Sequence, residues 1–240
     1  PQRGECDICM LPLPLCAREQ QYQSCCGKVL CLGCIYGIRA TEEENHRTIC
    51  PFCRTPAATS AREQIERIKK RAESNDSGAI YQLAFRYSEG EDGIPQDYKK
   101  ANELWLRAGE LGNAMAYQNI ADAYLIGEGV EKDMKKAKYY YELAAMGGDA
   151  VARYSLGIVE ANEQRNANRA VKHFMVSAAA GCDDSLKAIQ QCFMKGDATK
   201  DDFEKALRAH KEAKDEMKSD QRQAAATDQD FRRSFNVEQS

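Results

Sequence analysis

No hydrophobic run in this 240-residue chain approaches the length of a membrane span. The longest, Val29 to Ile38, is ten residues and contains two glycines and two cysteines, about half of what a bilayer crossing needs. An excess of charge is missing too. The 34 lysines and arginines nearly cancel 37 aspartates and glutamates, and the balance is local: residues 1–60 carry six of each sign and residues 200–240 carry nine positive and ten negative. A basic footprint for nucleic acid is thereby excluded. The chain opens at Pro1 without a charged segment followed by an apolar one, so no signal peptide is expected and the native N-terminus is expected upstream. With 43% hydrophobic residues, what remains is a folded soluble protein of one or two domains.

What the chain has is cysteine, unevenly placed. Nine of the eleven lie between Cys6 and Cys53, and six of them form Cys6-x-x-Cys9, Cys31-x-x-Cys34 and Cys50-x-x-Cys53, with Cys25-Cys26 between the first and second pairs. Two thiolates separated by two residues can turn toward one tetrahedral ion, so the pattern points to metal over disulfides. That in turn implies a reducing compartment, cytoplasmic or nuclear. Residues 1–54 also hold four of the six prolines. So short a unit buries too little surface to be stable alone, and a metal is expected to supply much of its folding free energy. Soft thiolates and a tetrahedral demand select zinc over magnesium or calcium.

Residues 55–75 read as a connector and a linking helix, with Ser60 and Glu63 as a capping box and the helix running to about Glu73. Beyond it the chain repeats itself. Leu83, Ala84, Tyr87 and Gly90 return 37 residues later as Ile120, Ala121, Tyr124 and Gly127. Asp97, Ala101, Trp105, Ala108 and Gly112 return 36 residues later as Asp133, Ala137, Tyr141, Ala144 and Gly148. A shorter third copy carries Ala170, Phe174, Ala178 and Gly181 after a contracted loop around Asn162 to Asn168, and a worn fourth runs from Asp184 to about Lys218. Each copy reads as two antiparallel helices, the first capped by Asp76, Asn113, Asp149 or Asp184 and the second by Asp97, Asp133 or Asp201. Gly112, Gly148 and Gly181 end the second helices. The expected fold is mainly α, with a short α-solenoid over residues 76–218. Residues 219–240, with Phe231, Phe235 and Val237 as their few apolar anchors, are expected to be frayed or disordered.

The motif Ala-x-x-x-(Trp/Tyr)-x-x-Ala followed by Gly, preceded by Asp-x-x-x-Ala, is similar to the Sel-one-like repeat, a relative of the tetratricopeptide repeat. The resemblance covers roughly residues 76–210 and implies a scaffold for protein contacts.

Two loops of fifteen residues, Cys9 to Cys25 and Cys34 to Cys50, around a short central segment resemble the cross-braced RING finger. In that family alternate ligand pairs share an ion. The resemblance implies a two-zinc RING-like domain over residues 1–54. One ion falls to Cys6, Cys9, Cys31 and Cys34, and the other to Cys50 and Cys53 with Cys26 and an eighth ligand. Lys28 stands where the family has a ligand His, and an ammonium has no lone pair to offer. Cys25, His46 and Cys16 are the candidates for the eighth ligand. Adjacent side chains on an extended strand diverge, which argues against Cys25 beside Cys26; Gly27 permits a turn that removes the objection.

RING modules promote ubiquitin transfer by docking a ubiquitin-conjugating enzyme. Carried over by motif position, the docking residues are Ile8, Ile38, Pro51 and Arg54, while Asp7 stands where the family often has Pro. The resulting reading is a ubiquitin ligase whose repeats recruit a protein substrate; the alternative is a non-enzymatic adaptor with a degenerate finger. No catalytic residue is expected, because closed four-ligand sites leave no free thiolate. Cys182, Cys192, His173 and His210 read as packed or solvated helix residues. Tyr141 aligns with Trp105 as core, leaving Tyr139 and Tyr140 for surface contacts.

Overall fold

A computed structural model describes residues 4–40, 49–162 and 167–234. The N-terminal unit has a two-stranded antiparallel ribbon, β1 (Gln20–Tyr22) against β2 (Val29–Cys31), followed by α1 (Leu32–Ala40). The linking helix α2 (Ala61–Glu73) begins at Ser60, whose hydroxyl accepts the Glu63 N–H. The Glu63 carboxylate reaches back one residue further than a capping box requires, to the N–H and hydroxyl of Thr59.

Four antiparallel hairpins follow: α3 (Ser77–Glu89) with α4 (Tyr98–Glu110), α5 (Ala114–Ile126) with α6 (Met134–Met146), α7 (Ala150–Asn162) with α8 (Ala167–Ala179), and α9 (Asp183–Lys195) with α10 (Lys200–Glu216). The repeated alanines explain the stacking. Ala84, Ala101, Ala108, Ala121, Ala137 and Ala144 are fully buried, so neighbouring backbones approach closely while Trp105, Tyr141 and Phe174 fill the space between helices. Asp76, Asn113 and Asp149 cap their helices through the N–H groups of Ala79, Ala116 and Ala152. Asp97 and Asp133 do the same for α4 and α6. Gly112, Gly148 and Gly181 take left-handed backbone at the ends of the second helices, with φ between 88° and 94°.

The worn fourth copy departs from expectation at both caps. The N-cap of α9 is Cys182, with no side-chain bond, and Asp184 lies inside the first turn. In α10 the cap is Thr199, in a full capping box with Asp202, and Asp201 lies within the helix. Each aspartate lies past the N-cap, the position from which a side chain accepts from the free N–H groups.

The expected frayed tail is also corrected over its described part. Residues 220–233 form α11 (Asp220–Thr227) and α12 (Gln229–Arg233). Ala225 and Phe231 complete the core of the N-terminal unit with Leu30, Leu32 and Ile35. Composition alone gave these residues too few apolar groups for a core of their own; they complete one that lies elsewhere. Tyr140 is likewise no open contact, being stacked between Tyr117 and Tyr124, while Tyr139 is exposed. No described helix is long and apolar enough to cross a membrane.

Candidate metal centre

Two turns of the same design present the outer cysteine pairs. In the first, Met10 N–H donates to Cys6 O and Cys6 N–H to Leu11 O, both at 2.9 Å. In the second, Arg54 N–H donates to Cys50 O at 3.0 Å and Cys50 N–H to Thr55 O at 2.9 Å. Bridges Glu5–Pro12 and Ile49–Pro56 close the two loops. Met10 and Arg54, each following the second cysteine, have left-handed backbone with φ of 57° and 56°. This equivalence escaped the sequence reading, because neither residue is the glycine that such a turn advertises. The pair Cys31 and Cys34 is held differently, at the end of β2 and in the first turn of α1.

The sulfurs of Cys6, Cys9, Cys31 and Cys34 all lie within 4.8 Å of one another, and so do those of Cys25, Cys26, Cys50 and Cys53. Along the chain the two groups interleave. Cys6 and Cys34 are 3.7 Å apart, Cys9 and Cys31 3.9 Å, and Cys26 and Cys50 3.7 Å, and every one is a free cysteine. Cys25 and Cys26 reach the same point because they sit in a turn and not on a strand. Gly27, at φ 78°, donates to Gln23 O and reverses the chain before β2. Cys16 is exposed and belongs to neither group. His46, the other candidate ligand, lies outside the described residues.

Electrostatics within each group favour a cation. Burial works against a thiolate at Cys6, yet backbone N–H groups, that of Cys31 foremost, bring its pKa down to about 7. Thr55 beside Cys53 lowers that thiol to about 6. Cys34 and Cys25 move the other way, raised by burial and then by the neighbouring sulfurs. One sulfur per group thus ionises readily and opposes ionisation of the next, which a divalent ion among them would reverse.

The docking residues carried over by motif are divided. Ile8, Pro51 and Arg54 are exposed, next to exposed Met10 and Phe52. Ile38 is half-buried against the core that Phe231 completes. The unit is fastened to the first hairpin by Tyr22, whose hydroxyl donates to Asp76 Oδ2 at 3.1 Å and accepts from Arg71 Nε at 3.0 Å. Burial works against the Asp76 charge, but the Ala79 N–H and Arg71 outweigh it and hold the carboxyl below its ordinary range. A cleft of about 610 Å³ separates Leu13, Pro14 and Leu15 of the unit from Tyr81 and Phe85 of α3 and Met115 of α5.

The Sel1 repeat family model matches residues 77–113 and 114–149, the first two hairpins, each match beginning at the first residue of α3 or α5. The first two hairpins are Sel1 repeats. The fold agrees with the crystal structure of a Sel1 repeat protein from Oxalobacter formigenes, 30% identical, with a TM-score of 0.57 over 64% of each chain. In sequence the chain is similar to the ERAD-associated E3 ubiquitin-protein ligase component HRD3A of Arabidopsis thaliana, 37% identical over 67 residues. It is also similar to the chitin synthase regulator SKT5 of Saccharomyces cerevisiae, 34% identical over 125 residues. These matches cover 28% and 49% of this chain but only 10% and 18% of the relatives. Sel1 repeats generally mediate protein contacts, and the cysteine groups can hold metal.

Proposed function

We propose that the N-terminal unit binds two zinc ions in a RING-type cross-brace and that the protein is a ubiquitin ligase whose Sel1 repeats recruit a substrate protein. The observation that carries the reading is the pair of interleaved four-sulfur groups. Four thiolates about 2.3 Å from one zinc stand about 3.8 Å from each other, and the close pairs here are 3.7 to 3.9 Å apart. A disulfide would need about 2.0 Å. Eight soft donors with no oxygen or water position suit zinc as a closed structural ion.

Such a unit does no chemistry of its own. Ile8, Pro51 and Arg54, exposed beside the two turns, would dock a ubiquitin-conjugating enzyme, with Ile38 supporting them from α1. HRD3A is an E3 ubiquitin-protein ligase component and SKT5 a chitin synthase regulator, so the repeats fit a role in selecting proteins. The non-enzymatic adaptor remains the second reading, favoured by Lys28 at the family's His position. Metal analysis together with autoubiquitination against a panel of conjugating enzymes separates them. Two zincs with transfer support the ligase; two zincs without transfer from any enzyme leave the adaptor; no zinc defeats both.

A further inference from the structure

The C-terminal helices return to the first sulfur group from nearly two hundred residues away. Arg222 of α11 donates from Nε to Cys31 Sγ at 3.4 Å and from Nη2 to Cys9 Sγ at 3.6 Å. It therefore touches one sulfur from each pair of the group. Its Nη1 is held by the carbonyls of Pro12 and Met217, both at 2.9 Å, which fixes the guanidinium. The approach is possible because α1 presents glycine to α11. A Cβ at Gly33 would stand 2.7 Å from Arg222 N, and one at Gly37 would stand 2.8 Å from the Gln221 side chain. Beyond the turn, Phe231 of α12 is buried and meets Tyr36 edge-on at 5.1 Å.

Four thiolates around a divalent ion carry two net negative charges. A half-buried guanidinium donating to two of those sulfurs compensates that charge and orients the ligands, as partners outside the coordination shell do at metal sites. The second group is placed differently: Cys25 borders a cleft with Arg67, Lys70 and Arg71 of α2, away from α11.

We propose that α11 and α12 form a metal-linked latch, in which an ion in the first group and the docking of the C-terminal helices stabilise one another while the second group stands outside the linkage. The proposal rests on the metal-binding reading above. Linkage is reciprocal: whatever α11 contributes to holding the ion, the ion contributes to holding α11. Loss of the first ion then frees residues 220–233 and uncovers the Gly33–Gly37 face of α1.

The test uses the full-length, zinc-loaded protein and two readouts, release of metal to a colorimetric chelator and hydrogen exchange in residues 220–233. Arg222→Gln speeds release of one of the two ions tenfold or more and leaves the other at the wild-type rate. Gly33→Ala, which displaces α11 while keeping the guanidinium, acts in the same direction. Conversely, Cys9→Ser raises exchange in residues 220–233 at least tenfold and Cys53→Ser does not. Unchanged release in both Arg222→Gln and Gly33→Ala, or equal exchange in the two cysteine variants, overturns the latch while leaving metal binding intact. A wild-type protein without zinc overturns the metal reading, and the latch with it.

Discussion

Lys28 Nζ lies 2.8 Å from Asp7 Oδ1. These are the two positions at which the N-terminal unit departs from the RING pattern, and in the folded chain they answer each other. Asp7 Oδ2 also accepts the Val29 N–H at 3.2 Å, so the carboxylate ties the first cysteine turn to the start of β2. Lys28 is thus a bridge between loops.

The pair is half-exposed, and an exposed ion pair contributes at most about 1 kcal/mol. Lys28→Ala is therefore expected to leave zinc content unchanged and stability nearly so. Asp7→Ala should cost roughly 1 kcal/mol more, because Val29 N–H loses its acceptor as well. Chemical denaturation of both variants and the double mutant measures the difference; equal losses would show that the backbone bond contributes nothing.

The eighth ligand is decided by two substitutions. Cys25→Ser is expected to halve zinc content, and His46→Ala to leave it unchanged. The opposite result would assign the second ion to His46, and unchanged zinc in both variants would remove both candidates.

The repeats were legible because their physics is local and periodic. Alanine at close approaches, a carboxylate or amide before the first helix of each of the first three hairpins and glycine after the second are all written within 37 residues and then written again. The sulfur pairing was legible from spacing and resemblance together, though adjacency alone argued against Cys25 with Cys26; the turn at Gly27 resolves that. What could not be read is long-range. Arg222 looks like any charged residue of a polar tail, and Phe231 like a stray aromatic. Their roles exist only because the solenoid carries residues 220–233 back to α1. The turn positions of Met10 and Arg54 were hidden for another reason, since neither side chain has the freedom its backbone uses.

Asp149 gives a test by pH. Burial, the dominant influence, raises its pKa above the ordinary 3.8, against the N–H groups of Ala152 and Val151 that favour the charge. The folded chain therefore holds this proton more tightly than the unfolded chain does. Stability from this group is full below the ordinary value and is lost as pH rises through the raised one. Asparagine cannot ionise, caps as Asn113 does in the preceding repeat, and costs little as a cap. Asp149→Asn should gain stability relative to wild type as pH is raised from 4 to 7. Urea denaturation at the two pH values checks the sign; a relative loss on raising pH would mean that the cap's charge matters more than its burial.

Ligase function is tested most directly at Ile8 and Ile38, because the fold treats them differently. Ile8 is 40% exposed and stands outside the buried core of the unit, so Ile8→Ala is expected to leave zinc content and melting temperature nearly unchanged. An apolar anchor at the centre of a small interface contributes about 2 kcal/mol, and a transient docking contact has little affinity in reserve, so ubiquitin transfer should fall by more than tenfold. Ile38 packs against the core shared with Ala225 and Phe231, so Ile38→Ala should cost roughly 2 kcal/mol of stability as well as transfer. Arg54→Ala, at an exposed turn, should slow transfer with less effect on docking of the free conjugating enzyme, since the resemblance gives this residue the charged conjugate to orient. Single-turnover discharge of the conjugate, run beside a binding assay and thermal melts for the three variants, reads all of these. Transfer by Ile8→Ala at the wild-type rate would place the docking surface elsewhere, and only a wild-type protein without transfer would return the unit to the adaptor reading.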